Sequence, residues 1–326
     1  MIKLVRVVLV ISMFTTILVA RQGLVFNAIE GNAEAGYNEL VNKKIGSIGF
    51  TLSDPHERIN DAYEVKYGTK TSPQYDPDWK KNLDNLGFFT ISQDVKLREL
   101  LIRNPELGAF SPFNLHVYKK MSEDKTYVGH IVPDVMLDIV DIQDKKVREE
   151  FISIFKPLDE LVQKELGGKV EFREFSSLPE TKMMKFEFTF DRPEDLTDYL
   201  DTFQEEFEEA MEAKQYIIAG FKDFKEAYTY LELPFDKYDA YYSYSLCHFT
   251  FSYNMFNKGM PEAGAFAPCS MYMYIEKGTN KLVIGMPLLD NWLSVLNIKD
   301  EVMKKSVTDL DKEIIDIMIS LGAKKI

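Results

Sequence analysis

The feature that most constrains this chain is an internal repeat. Pro105-Glu106-Leu107-Gly108-Ala109-Phe110-Ser111-Pro112 returns as Pro261-Glu262-Ala263-Gly264-Ala265-Phe266-Ala267-Pro268, identical at six of eight positions at an offset of 156. The offset then runs on without a gap: Tyr118 meets Tyr274, Gly129 meets Gly285, Asp134 meets Asp290, Ile142 meets Ile298 and Asp144 meets Asp300. Self-similarity at a fixed spacing marks a duplicated structural unit. Val147, Phe151, Ile154, Leu158 and Leu161 fall on Met303, Val307, Leu310, Ile314 and Ile317, one face of an amphipathic helix in each unit.

Upstream, Phe50-Thr51-Leu52-Ser53-Asp54-Pro55 resembles Phe188-Thr189-Phe190-Asp191-Arg192-Pro193 at an offset of 138, which gives the second unit about eighteen extra residues. Each unit then opens with a strand, 45–52 or 182–190, that stops at an Asp-rich turn able to cap a helix. Apolar and aromatic runs at 86–91, 113–118 and 127–132, matched by 242–251, 269–275 and 281–286, read as further strands. Paired glycines, serines and a proline make 169–181 a linker. The expected organisation is a leader or anchor over 1–28, a first domain over 45–168, that linker, and a second domain over 182–323.

Lys3 and Arg6 precede an uncharged apolar run from 7 to 20, closed by Arg21, the layout of a signal peptide. Fourteen helical residues span about 21 Å, short of the roughly 30 Å hydrocarbon core. The expectation is export to the periplasm or cell envelope, with the leader cleaved after Ala20 or Ala28 or kept as an anchor, and membrane contact confined to this segment. Lys and Arg total 39 against 52 Asp and Glu, a formal charge of −13, which excludes a general attraction to nucleic acid.

Chemistry-bearing residues concentrate in the second unit. Cys247 and Cys269 are the chain's two cysteines, and strand alternation puts Cys269, Met271 and Met273 on one face, with Tyr272 and Tyr274 on the other. Such soft donors suit Cu(I) or haem. The repeat offers a plainer reading, because the first unit carries Phe113, Leu115 and Val117 at the aligned positions, with Ile91 aligned on Cys247. A Cys247–Cys269 disulfide and unbridged core thiols both stay open. The repeated loop contributes Glu262, Gly264, Phe266 and Pro268 as a candidate functional loop, although a tight Gly turn with a Phe anchor also explains it. Leu196, Leu200, Phe203, Phe207 and Met211 form a helical stripe, so the carboxylates of 187–212 belong to a solvated helix face. The tyrosines and phenylalanines of 238–274 line either an interface between the units or a groove for a small apolar ligand.

Cys247, Pro268-Cys269, Tyr274, Glu276 and a terminal helix after Asp300 together resemble the pattern of the domain of unknown function 302 (DUF302) family; Ile91, Pro112-Phe113 and Tyr118 give a degenerate version in the first unit. The resemblance implies an α+β fold of two tandem β-α-β4-α domains, similar to the TATA-binding-protein arrangement and packed as a pseudo-dimer. It implies no activity. Two functional readings follow: an exported, noncatalytic binding or interaction protein for a small apolar ligand or an envelope protein, able to form homo-oligomers, or an envelope haem, copper or thiol-redox protein centred on Cys247, Cys269, Met271 and Met273. A third, an enzyme with Glu262 or His248 as base, lacks a surrounding motif.

Overall fold

The computed structural model describes residues 20–54 and 59–326, so most of the expected leader lies outside the described residues. The first half runs β1 (Arg21–Glu30), α1 (Glu34–Glu39), two irregular helical turns to Ile48, β2 (Thr51–Asp54), α2 (Ile59–Tyr63), β3 (Leu83–Ser92), α3 (Asp94–Arg103), a 3-10 turn (Pro105–Phe110), β4 (Phe113–Lys120), β5 (Lys125–Ile131), α4 (Pro133–Ile139), α5 (Lys145–Leu166) and β6 (Lys169–Phe175). The second half runs β7 (Met183–Thr189), α6 (Thr197–Glu212), β8 (Tyr216–Asp223), α7 (Phe224–Tyr230), β9 (Tyr238–His248), α8 (Phe249–Asn257), a 3-10 turn (Pro261–Phe266), β10 (Cys269–Glu276), β11 (Lys281–Pro287), α9 (Asp290–Val295), α10 (Glu301–Ser320) and β12 (Lys324–Lys325). Each half builds one six-stranded sheet, in the order β2-β3-β4-β5-β1-β6 and, read from its matching edge, β8-β9-β10-β11-β7-β12. The pairings are antiparallel. The fold is mixed α+β.

Local chemistry accounts for the helix boundaries. Asp144 and Asp300 cap α5 and α10 by accepting first-turn amide protons, and each helix buries the apolar stripe read from the sequence. The carboxylates of α6 do lie on its outer side, because Leu200, Phe203, Phe207 and Met211 are its buried residues.

Three boundaries differ from those read along the chain. Residues 21–28 are not leader: they form most of β1, which pairs with β5 on one side and β6 on the other, and Leu24, Phe26 and Ala28 are buried. Cleavage after Ala28 would cut this central strand. Residues 45–48 are a helical turn and β2 is an edge strand, so β1, and not 45–52, occupies the place that β7 holds in the other sheet. The resemblance of 50–55 to 188–193 is therefore fortuitous, and the supposed eighteen-residue excess disappears. The stretch 169–175, read as linker, is strand β6.

The repeated octapeptide is the joint between the halves. Each 3-10 turn lies against the sheet of the other half. A Cβ on Gly264 would overlap the His116 ring on β4, and one on Gly108 would overlap Tyr241 and Tyr272 on β9 and β10. The equivalent carbonyls are held from across the joint: His116 Nε2 lies 2.8 Å from Pro261 O, and Tyr241 Oη donates to Pro105 O. Glu262 pairs with Lys120 at 2.7 Å, Glu106 with Lys185 at 3.3 Å. The Ser111–Pro112 and Ala267–Pro268 bonds that end the two turns are both cis. Tyr238, Tyr241 and Tyr272 thus become interior residues. At the periphery α3 and α8 extend the joint: Tyr238 Oη donates to Leu101 O at 2.8 Å, Tyr63 Oη to Ser252 Oγ at 2.8 Å, and partly buried Lys222 pairs with buried Asp94.

His116 is fully buried, with Nδ1 3.0 Å from Gly87 O as well, so its ring has no room to swing aside. Gly264→Ala should therefore lower unfolding free energy by about 1–3 kcal/mol in urea denaturation. Gly259→Ala, where an added Cβ meets nothing within 4 Å, should change it by no more than about 0.5 kcal/mol.

Candidate functional site

Where the two turns end, a crevice straddles the joint. Its walls come in pairs at the repeat offset: Ala109 and Ala265, Phe110 and Phe266, Pro112 and Pro268, Asn114 and Ser270. Three further pairs differ in kind, namely Phe113 and Cys269, Ile131 and Pro287, Met136 and Trp292. The space along these walls, open solvent at the mouth included, is about 470 Å³.

Strand geometry fixes the polar groups. Asn114 and His116 alternate onto the inner face of β4, as Ser270 and Tyr272 do on β10. Asn114 Nδ2 donates to both Gly264 O and Ala267 O, and Ser270 Oγ donates to Pro112 O at 3.3 Å. Asn114 is only 5% exposed, yet its Oδ1 has no hydrogen-bond partner among the described residues.

Cys269 and Trp292 also line a second, more interior cavity with Cys247, His248 and Met286. Its counterpart in the first half is a smaller cavity, walled by Ile91, Ser92, Phe113, Ile154 and Phe155. There Phe113 packs at a tilt against Phe155, 4.5 Å between ring centres, and His130 lies 6.0 and 5.2 Å from the two rings. Cys269, Asp311 and Met286 stand at the equivalent positions, three smaller or more flexible side chains in place of three rings. Cys269 does occupy the place of Phe113, at the start of its strand after a cis proline. Cys247 does not occupy the place of Ile91. The register sets Leu246 opposite Cys269 as it sets Ile91 opposite Phe113, and sets Cys247 opposite Ile217 as it sets Ser92 opposite Thr51. A one-residue shift makes Cys247 the counterpart of Ser92, a buried polar residue.

Both cysteines are free thiols. Burial pushes Cys247 up to about 11 against a hydrogen bond with Ser252, and holds Cys269 well above the usual thiol range. Met286 lines this cavity, whereas Met271 and Met273 lie opposite Tyr244 and Tyr242 on the face that α6 covers, buried as core. Among the described residues, no three His, Cys, Asp or Glu side chains group as a metal site would. The structure therefore brings Cys247 and Cys269 to one cavity and leaves Met271 and Met273 out of it.

The loop residues have structural partners. Glu262 is paired with Lys120, Gly264 admits His116, Phe266 stacks on Trp292 at 5.5 Å, and Pro268 ends the turn. His248 caps α8, its Nδ1 accepting from Phe251 N at 3.2 Å, and burial lowers its pKa. His116 is pushed down to about 4 by burial, so its neutral ring can donate to one of its two carbonyls. Reading along the chain missed Asn114, Trp292 and Asp311. Asn114 sits four residues after Phe110 in the repeat frame, but its role needs the opposite half to be placed.

Asp311, on α10, accepts from the amides of Leu289 at 2.8 Å and Asp290 at 3.2 Å and so fixes the start of α9, which carries Trp292. Burial outweighs these bonds and raises its pKa to about 6.

No family model and no curated protein matches the chain. Among solved structures, an uncharacterized conserved protein DUF302 from Bacillus stearothermophilus is similar at 20% identity, covering 40% of this chain and 94% of that one with a TM-score of 0.32. At that score the likeness carries no argument, and the site rests on its own geometry.

Two outcomes are expected. Native protein without reductant should alkylate slowly with iodoacetamide at pH 8 and show two reactive thiols per chain once denatured; none would mean a bridge. For Asp311, a carboxyl pKa raised on folding means the native state holds the proton more tightly. Stability is then greatest below the unfolded pKa near 4 and is lost as pH rises to about 6. Relative to Asp311→Asn, the natural protein should lose up to about 3 kcal/mol across that window in urea titrations.

Proposed function

We propose that this chain is a noncatalytic binding protein whose crevice at the joint takes a small, mostly apolar ligand. In this reading the halves are tandem copies of a DUF302-like β-α-β4-α unit, joined as an intramolecular pseudo-dimer, and the ligand site arose where one copy lost bulk. The carrying observation is the exchange of Phe113, Phe155 and His130 for Cys269, Asp311 and Met286 at equivalent positions. Ring volume that narrows the cavity of one half is missing from the other, where the equivalent cavity is larger, next to the crevice at the joint. The common strand order and the reciprocal glycine contacts support the duplication. The charge-then-apolar pattern of residues 3–20 supports export to the periplasm or envelope. The raised pKa of both thiols favours a packing role for the cysteines over a thiolate one.

Xenon is the probe for a small apolar space. In ¹²⁹Xe NMR titrations the protein should give a saturable shift, and Cys269→Phe, which restores the first half's ring, should weaken it severalfold. Cys269→Leu serves as a smaller plug should the ring overpack, with thermal midpoints recorded for both. A non-saturable shift, or folded plugged variants that titrate like the natural protein, would remove the reading.

A further inference from the structure

We propose that strand β6 is a self-association edge: a second copy of this chain pairs its own β6 antiparallel to it, centred on Phe172, and joins two first-half sheets into one.

The edge is open on one side. β6 ends the first sheet and pairs, among the described residues, with β1 alone. At the matching edge of the second sheet stands β12, two residues long and made of Lys324 and Lys325. Short edge strands bearing lysine resist pairing with another chain, whereas a long edge with apolar side chains invites it. β6 has seven residues, of which Val170 and Phe172 are 45% and 41% exposed. The remaining sheet edges, β2 and β8, lie against each other at the joint. The repeat thus supplies the contrast, since one half guards its outer edge and the other leaves it available.

Backbone direction and charge select the partner and its register. Glu174 O accepts from Asn297 Nδ2 at 2.7 Å, on the side away from β1, while Arg173 O faces Gly23 of β1. Alternation along the strand then turns the N–H and C=O of Val170 and Phe172 outward. With an antiparallel copy centred on Phe172, Phe172 exchanges both backbone hydrogen bonds with its own counterpart. Glu171 of each copy then stands opposite Arg173 of the other, so symmetry gives two ion pairs. Arg173 already lies 3.4 Å from Glu171 of its own strand, and the second copy completes a cluster of four charges that alternate in sign. Neighbouring registers lose this match. Centring on Glu171 sets that carboxylate against itself and Lys169 against Arg173; centring on Arg173 sets two guanidinium groups together. Opposite charges across an antiparallel pair stabilise it and like charges oppose it. Centring on Val170 runs the ladder into Gly168, whose φ of +89° is not extended.

The test is sedimentation velocity on the full chain from micromolar to submillimolar concentration. The expected result is a concentration-dependent shift from one chain mass to two. Phe172→Lys, which sets two ammonium groups together at the centre, should abolish the shift, and because Phe172 is exposed its thermal midpoint should stay near that of the natural protein. Glu171→Arg and Arg173→Glu should each weaken the dimer about tenfold or more, and the double exchange, which restores opposite signs, should recover most of the loss. Thermal midpoints confirm that each variant compared is folded. A monomer at every concentration, or a dimer that folded Phe172→Lys leaves intact, would overturn the proposal, as would a folded double exchange no better than the single ones. None of these outcomes bears on the crevice, which lies at the joint.

Discussion

The structure depends on two glycines that let a turn of each half rest against aromatic rings of the other. At Gly108 and Gly264 the backbone meets Tyr241 with Tyr272, and His116, at distances that leave no room for a Cβ. Close approach brings the carbonyls of Pro105 and Pro261 within reach of buried donors, so desolvating the turns costs little. Because the contact is reciprocal, neither half closes its inner sheet face without the other. Tyr238, Tyr241 and Tyr272 are core residues for that reason, and the peripheral pairs such as Lys222 with Asp94 lie at the edges of the same joint.

A near-symmetric joint makes its departures from symmetry informative. One half narrows its corner with the rings of Phe113, Phe155 and His130; the other has a thiol, a carboxyl and a thioether there and a larger cavity. The thiols are held protonated by burial, and Asp311 spends its oxygens on the backbone of α9. What the exchange changes is space, and the space adjoins the joint where both turns end.

Much of this was legible along the chain. From Pro105 onward a constant offset tied the halves together, and the turns, β4 with β10, β5 with β11 and the closing helices follow it. Legibility failed where the offset changed. β1 lay hidden because its apolar residues follow directly on a leader-like run, and Phe50 to Pro55 supplied a false match. Cys247 was set against Ile91 because the gap-free offset ignored a one-residue shift across β9 that is made up before Pro261. The candidate site was harder still, since Asn114, Trp292 and Asp311 belong to no motif.

The amino-acid order by itself determined that a segment returns at a constant offset, where most of the strands and helices run, and that sulfur stands in its second occurrence where the first has hydrocarbon. Those are local or periodic properties, set by side-chain spacing along one segment. Only the tertiary structure decided that β1 belongs to the first sheet, that the repeated turns cross to the opposite half, and that a crevice is walled by residues of both halves. Contacts between residues some 150 positions apart leave no periodic trace, because the constraint they impose is a fit between two surfaces.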